Sequence, residues 1–518
     1  MQIDVYDGEV LHQFHIADLE KRSLSALLRK KGLPLNTRCG ERGLCKACLV
    51  LVKEGDEWVE RQSCQIVCGN GLTVKIPASS KLIYEPQVQS DYCLGIPVAL
   101  NSIFGNQGIA IAVDIGTTTV ALLAIDLSSG EVVRKAAGFN QQMKLGDDVL
   151  TRINHCLIDP SYVGQLQECL IQETLIPLLK AACQDELTKI VGVVLSGNAT
   201  MLHLALGENP GPMGIVPFQP VFLAKRLLNS QEIGLPFDAK VITLPSTSAY
   251  VGGDIVSGLT ASGLAYTSQK ALFVDVGTNG EMVILQGDKK IGCATAAGPA
   301  FEGSGLTCGV RAGRGAISHL SIQKDGENIT ISTEVIGGNE AGRPIGICGS
   351  AYIDFLAQAR RTGLLTPTGR LVPTKGLTAQ GDYGLECHIA LGLGKKPIVI
   401  TDSDVALLLQ AKAAIAAGVK TLLSRVRLKP SDVDCLYLAG GFGMHLNLHH
   451  AVECGLLPGF HPHQIQLVGN TSLGGAVAAT LDQGILADMS RLAQQIQVIE
   501  LNEDPCFEET YVDSLLLD

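Results

Sequence analysis

Short polar turns punctuate long apolar runs over most of this chain, and two of those passages repeat one another. Ala110–Ala121 reads AIAVDIGTTTVA: an apolar, β-branched run ends in Asp114, the turn Ile115-Gly116-Thr117-Thr118-Thr119 follows, and the apolar run resumes. The pattern predicts strand, tight polar turn, strand. Ala271–Leu285, ALFVDVGTNGEMVIL, repeats it with Asp275 and the turn Val276-Gly277-Thr278-Asn279-Gly280. Two such units predict a duplicated domain whose turns face each other across a cleft.

Other stretches fill in the plan. Val191–His203, VGVVLSGNATMLH, is a strand ending in a polar turn, and Val433–Gly443, VDCLYLAGGFG, is a strand running into Gly440-Gly441-Phe442-Gly443. Ligands of open α/β sheets sit at such strand ends. Ala249–Ala261, with Gly252, Gly253, Asp254 and Gly258, opens a helix whose small residues permit close packing. Asp404–Leu423 and Gly469–Ala479, the latter with Gly474 and Gly475, read as further helices.

The N-terminus follows a different pattern. Ile3–Tyr6 and Val10–Ile16 flank Asp7-Gly8 as a hairpin. Ser23–Lys31 places Leu24, Leu27 and Leu28 on one helical face with Gly32 as its stop, and Cys48–Val52 and Leu72–Ile76 are later strands. Residues 81–107 have no strong period and contain Pro86, Gly95, Pro97 and Gly105, which predicts a linker. The expected division is 1–80 as a small separate domain, 81–107 as linker, 108–268 and 269–490 as two lobes, and 491–518 as a C-terminal tail.

Composition narrows the classes. At 518 residues the chain exceeds one core, and 46% hydrophobic content with 58 glycines fits a packed α/β protein. Aromatics at 4% and a net charge of -11 argue against nucleic-acid binding. The start, MQIDVYDGEV, lacks a basic segment followed by an apolar one, and no uncharged run is long enough for a bilayer. Most of the 16 cysteines, such as Cys156, Cys183, Cys293 and Cys435, are scattered singly in apolar segments, as reduced core thiols are. A cytoplasmic protein that engages neither membrane nor nucleic acid is the expectation.

Two candidate chemistries emerge. The Asp-x-Gly-Thr turns suit a phosphate chain: Gly116 lets backbone N–H groups approach an anion, the threonines add hydroxyl donors, and Asp114 can hold a hydrated Mg²⁺ against it. Gly440-Gly441 offers bare backbone for a flat adenine, or a plain strand-to-helix turn. The glycine-rich stretch Ala296–Ala316 either folds over the phosphates with Arg311 or Arg314 pointing in, or lies on the surface with both solvated. His445, His449 and His450 have a spacing open to a metal, although helix-surface histidines are commoner.

The second chemistry is a cysteine cluster. Cys39, Cys45 and Cys48 form C-x5-C-x2-C, with Cys64 beyond. The spacing is close to that of [2Fe–2S] ferredoxins. Three thiolates come from one loop, whose turns are permitted by Gly40 and Gly43, and the fourth comes from a neighbouring segment. Structural zinc usually takes two C-x2-C pairs, and only one is present. Cys68 competes with Cys64 for the fourth place. The order strand, strand, helix, cluster loop, strand resembles a β-grasp ferredoxin.

The series DIGTTTVA, YVGGDIVSGLTA, DVGTNGE, LAGGFG and LGGAVAA resembles the five-part signature of the acetate/sugar kinase, heat-shock cognate and actin ATPase superfamily. With the ferredoxin pattern, SGNATMLH, AGPAFEGSG and GNTSLGGA, the whole chain resembles the ATP-dependent reductive activators of corrinoid proteins. Longer members of that family carry a further domain where residues 81–107 stand here. The resemblance implies a β-grasp [2Fe–2S] domain followed by a two-lobed actin-like (ribonuclease-H-like) ATPase, with [2Fe–2S], ATP and Mg²⁺ as cofactors. It implies one-electron reduction of Co(II) to Co(I) in a corrinoid protein, coupled to ATP hydrolysis. For one electron, ~59 mV of uphill potential costs about 1.4 kcal/mol, so a mismatch of about 300 mV costs roughly 7 kcal/mol, more than docking contacts readily supply at every turnover.

By the same resemblance Asp114 and Asp275 position Mg²⁺ and the attacking water. Gly116, Thr117, Thr118, Thr119, Gly277, Thr278, Asn279 and Gly280 cradle the phosphates, and Gly440, Gly441 and Phe442 border adenosine. Cys39, Cys45, Cys48 and Cys64 hold the cluster. The implied partners are a corrinoid protein, a reduced ferredoxin or flavodoxin-type donor and a second copy of the chain. Rival readings are a small-molecule kinase with a redox module, an electron donor resembling the dehydratase-activating ATPases, and a chaperone-like switch with no redox task.

Overall fold

Alternating side chains from Gln2 to His15 fold as the hairpin Gln2–Asp7 and Val10–His15, turning at Gly8, whose φ of 66° suits a residue without Cβ. The computed structural model describes residues 2–8, 10–15, 23–31, 33, 35, 48–77, 80, 92, 94–146, 148–183, 186–326, 328–338, 343–381, 384–392, 397–441 and 446–517. The chain divides into two compact units, Met1–Glu85 with Gln141–Asp147, and Pro86–Asn140 with Asp148–Asp518.

In the first unit Leu72–Ile76 lies parallel to Gln2–Asp7. The five-stranded order is Val10–His15, Gln2–Asp7, Leu72–Ile76, Leu49–Glu54, Glu57–Gln62. Helix Leu24–Lys30 buries Leu24, Leu27 and Leu28 in one cluster with Ile3, Val5, Val50 and Val74. Each such side chain contributes roughly 1.5–3 kcal/mol on burial. This is the β-grasp plan. The strand Glu57–Gln62, invisible to the apolar pattern, is an outer strand carrying exposed Glu57, Glu60 and Arg61, charges that keep an edge from pairing further.

The second unit is built on two six-stranded sheets of one design. In the first, Ile109–Ile115, Thr119–Asp126 and Val132–Phe139 form an antiparallel meander, and Ile190–Gly197 and Lys240–Thr243 extend it in parallel from Ile109–Ile115. In the second, Ala271–Val276, Gly280–Gln286 and Lys289–Thr295 meander, and Cys435–Ala439 and Ile465–Gly469 extend in parallel from Ala271–Val276. The strands at the centre of each sheet are buried on both faces, which is why they read as unbroken apolar runs.

Helices Gly253–Ala261 and Thr471–Leu481 pack against each other. A Cβ on Gly475 would stand 2.5 Å from Ser257 Cβ, and one on Gly258 would stand 2.7 Å from Thr471 Oγ1. The crossing exists because those two positions are glycine.

Two boundaries differ from expectation. Residues 94–107 are not a free tether. Leu94, Ile96, Val98, Ile103 and Phe104 pack on the core of the second unit, Gly95 N–H donates to Ala261 O (2.7 Å), and Ser102 Oγ donates to Thr480 O (2.6 Å). Their apolar residues cover an irregular surface, so no period betrays them. Residues 81–91 and 93 lie outside the described residues.

The stretch 491–518 is likewise no tail. Gln497–Val498 adds a parallel strand to Lys289–Thr295, and Lys412 in helix Asp402–Arg425, almost wholly buried, donates to Leu516 O at 2.6 Å. That helix is apolar and long enough to cross a bilayer, but 78% of its apolar window is buried inside the protein, which marks it as a core helix.

Candidate functional site

The first hairpin closes by Gly116 N–H donating to Thr119 O at 3.0 Å, with Asp114 opposite Ala121. A Cβ on Gly116 would stand 2.6 Å from that same oxygen, so the turn requires glycine. The turn is held from outside. Asn140 Nδ2 donates to Gly116 O (2.9 Å), fully buried Arg152 donates to Thr117 O (2.5 Å), and Asn198 Nδ2 donates to Thr117 Oγ1 (3.2 Å). Thr117 and Thr118 are buried, and Thr119 opens the following strand.

The second hairpin closes by Gly277 N–H donating to Asn279 O at 2.9 Å and sets Asp275 directly opposite Glu281. Thr278 Oγ1 donates to Glu302 Oε1 (2.8 Å). Arg311 stands 3.8 Å from Glu302 Oε2 and stacks 5.0 Å from the ring centroid of Phe139. Arg311 is therefore a bridge between the two lobes, while Arg314 is exposed. Gly280 serves packing, since a Cβ there would strike Ile415 of the core helix. Gly440, at φ 93°, backs onto the second hairpin; its Cβ would lie 2.7 Å from Asp275 Oδ1. Among the described residues nothing stands within 4 Å of a Cβ built on Gly441, and Phe442 lies outside them.

The lobes meet at Asp114. Its Oδ2 accepts from Asn470 Nδ2 (2.9 Å) and its Oδ1 from Ser472 Oγ (2.7 Å), both from the second lobe. Asn470 also caps helix Thr471–Leu481 through Leu473 N–H (2.8 Å). Asn198 does the same for helix Ala199–Leu206 through Met201 N–H (3.0 Å) while reaching Thr117.

Two further acids complete the cleft: Asp254, in the first turn of helix Gly253–Ala261, which the sequence marks only as part of a helix start, and Glu281, which it does not mark. Burial, and then the charge of Asp114, push Asp275 up to about 7. Burial and the charges of Asp275 and Asp114 push Asp254 up, and burial with Asp254 and Asp275 pushes Glu281 well up. Burial also raises Asp114, against the donors Ser472 and Asn470. All these donors are oxygens, which suits Mg²⁺. Among the described residues no three acidic, histidine or cysteine groups form a ready cage.

In the first unit Cys48 and Cys64 are buried and neighbouring, with Ser63 N–H donating to Cys48 O at 3.0 Å. Cys39 and Cys45 lie outside the described residues. Cys68 is half-buried, and burial raises its thiol.

Among the described residues His450 is paired with a carboxylate and not with another of the three histidines. Its Nδ1 lies 2.6 Å from Asp354 Oδ1, and His319 Nδ1 lies 2.9 Å from Asp354 Oδ2, while His449 is exposed and His445 is outside the described residues. Burial lifts the Asp354 carboxyl, but the two imidazole hydrogen bonds outweigh it and hold it below the usual range. The hydrogen bond to Asp354 raises His319. The His319 contribution to stability is complete below about pH 6.5 and is lost as pH rises through its elevated folded-state value. The Asp354 contribution is present above about pH 4 and is lost as pH falls through its lowered value. Asp354→Asn is expected to cost about 2 kcal/mol near pH 6 and to flatten the decline of stability above pH 6.5, read by urea unfolding across pH. An unchanged pH slope would disprove the assignment.

Comparison with known proteins follows the same division. Residues 7–68 match the 2Fe-2S iron-sulfur cluster binding domain, 109–267 the RACo middle region, and 269–518 the C-terminal, ASKHA domain of RACo. The corrinoid activation enzyme RamQ of Eubacterium limosum is 30% identical, covering 96% of each chain. The [Co(II) methylated amine-specific corrinoid protein] reductase of Methanosarcina barkeri is 25% identical over 74% of this chain and 72% of its own. The solved reductive activator for corrinoid, iron-sulfur protein is 29% identical with a TM-score of 0.74, covering 99% of this chain and 98% of that one. A ferredoxin domain and a duplicated phosphate cleft on one chain, matched nearly end to end, show that the chain belongs to the RACo family of ATP-dependent reductive activators of corrinoid proteins.

Proposed function

We propose that this chain restores an oxidised corrinoid protein and that its residues divide the work as follows. A [2Fe–2S] cluster on Cys39, Cys45, Cys48 and Cys64 supplies the single electron that takes Co(II) to Co(I), and a reduced ferredoxin or flavodoxin-type donor replaces it. Asp114 and Asp275 hold Mg²⁺ and orient the water that attacks ATP. The backbone and hydroxyls of Gly116–Thr119 and Gly277–Gly280 grip the phosphates, and Gly440–Phe442 border the adenine. Closure of the lobes on nucleotide is read out through Asp114, Asn470 and Ser472 to the docked corrinoid protein. A cytoplasmic homodimer belongs to the same reading, supported in the first case by cysteines scattered singly through apolar segments, as reduced core thiols are, and by analogy in the second.

The observation that carries the reading is the contact of Asp114 in one lobe with Asn470 and Ser472 in the other, since it makes the phosphate site depend on the angle between lobes. The test is anaerobic: protein, Co(II)-corrinoid protein, reductant and MgATP are mixed and the Co(I) spectrum is followed. Co(I) is expected with ATP and at background without it. Absence of Co(I) with any corrinoid partner, together with a phosphorylated metabolite formed in proportion to ATP consumed, would favour the kinase reading.

A further inference from the structure

Behind Asp114 runs a line of hydroxyls. Ser472 Oγ, 2.7 Å from Asp114 Oδ1, lies 2.9 Å from Ser196 Oγ, which lies 3.0 Å from Ser257 Oγ. All three serines are buried, Ser196 and Ser257 completely. They come from three elements: Ser196 from strand Ile190–Gly197, Ser257 from helix Gly253–Ala261 and Ser472 from helix Thr471–Leu481. Ser257 is also the residue on which Gly475 rides, at the point where the two helices touch.

The chemistry of the chain fixes its direction. Ser472 Oγ donates to Asp114 Oδ1, so its one hydroxyl proton is spent there. Ser472 must then accept from Ser196, and Ser196 from Ser257. Each donation polarises the next, so the strength of the last bond depends on the first. Sliding or rotation of one helix on the other at Gly475 displaces Ser257 relative to Ser472, with Ser196 fixed in the sheet between them.

We propose that Ser257, Ser196 and Ser472 are positioning residues that report the crossing of the two interlobe helices to Asp114, so that the carboxylate is correctly aimed at the nucleotide only when the helices are fully engaged. The inference rests on the reading that Asp114 works at the phosphates. Ser196 stands beside Asp114 on the neighbouring strand, but its hydroxyl bonds Ser257 and Ser472 and not the carboxylate, so the hydroxyls of Ser257 and Ser196 act on Asp114 through Ser472.

The test is a double-mutant cycle on the full chain, with ATP hydrolysis measured as kcat and KM. Ser472→Ala is expected to lower kcat roughly tenfold and Ser196→Ala roughly fivefold, with KM for ATP within about twofold. Because they act as one unit, the double variant should fall no more than about twofold below Ser472→Ala. Losses that multiply to roughly fiftyfold would overturn the chain, as would an unchanged kcat in Ser196→Ala. Hydrogen exchange gives a second readout: a non-hydrolysable ATP analogue should protect helices Gly253–Ala261 and Thr471–Leu481 in the native protein and not in Ser257→Ala. Equal protection in both would also overturn it. Where an alanine variant fails to fold, the cysteine variant at the same position, similar in volume but a weak donor, is scored by the same criteria. Asp114→Asn separates the two layers: if it hydrolyses ATP normally, the placement of Asp114 fails, whatever the serines do.

Discussion

Cys48→Ser is expected to bleach the visible absorption of the purified protein and to lower Co(I) formation at least about a hundredfold, while ATP hydrolysis stays within about twofold of normal. Cys48 is fully buried where the strand Leu49–Glu54 begins, and its carbonyl takes the N–H of Ser63, beside Cys64. A serine there fits the space but offers a hydroxyl in place of a thiolate, a poor ligand for iron. The phosphate cleft belongs to the other compact unit and loses nothing by the change. If Cys64 is the fourth ligand, as the backbone bond from its neighbour Ser63 to Cys48 favours, Cys64→Ser should do the same and Cys68→Ser should not. Spectra, iron content and ADP release on the same preparations check all three. A colourless Cys48→Ser protein that still produced Co(I) at the normal rate would end the assignment of the electron's source.

How much of this could be read in the chain differs by element. Both Asp-x-Gly-Thr hairpins were legible because a buried strand, an acidic end and a glycine turn each leave a mark in linear sequence. The glycine of the first turn is compelled by a backbone oxygen 2.6 Å from its absent Cβ, which is the physical content of that mark. The roles of Asn470 and Ser472 were not legible. Both sit in GNTSLGGA, and GNAT in the other lobe is built alike, with Asn198 capping one helix and Asn470 another. A cap residue whose spare amide reaches a partner 356 positions away looks in sequence like any other cap.

Asp254 and Glu281 were hidden for a related reason: their meaning lies in convergence with Asp114 and Asp275, and no local period encodes convergence. Glu281 did leave a trace, an acid inside an apolar strand directly across from Asp275. The apolar residues of 94–107 misled because a chain laid over a curved surface makes contacts at irregular intervals. One signal stood there unused: a Cβ on Gly192, inside the strand Ile190–Gly197, would run into the ring of Phe104, and an isolated glycine in a buried strand marks such an approach.

Asp275→Asn should make the nucleotide-free protein more stable and nearly inactive at once. Asp275 shares the cleft with Asp114, Asp254 and Glu281, and the cost of ionising it there comes first from burial and then from Asp114. The folded state therefore keeps a proton that the unfolded chain releases between the ordinary carboxylate range near pH 4 and about pH 7. Across that window the native protein loses stability as pH rises, and above it the cost is complete. Asparagine has the same shape without the charge, so Tm at pH 8 should rise by roughly 2–4 °C, with the pH slope reduced. MgATP analogues reverse the comparison. They bring positive charge to the acids, so they should stabilise the native protein more at pH 8 than at pH 6 and Asp275→Asn little at either. Hydrolysis by the variant should fall by about 10²–10³. Thermal scans with and without the analogue, beside ADP release, give the answer. A variant less stable than the native protein, or one that hydrolyses ATP freely, would show that these acids are not held together against their own repulsion for the sake of the nucleotide's metal.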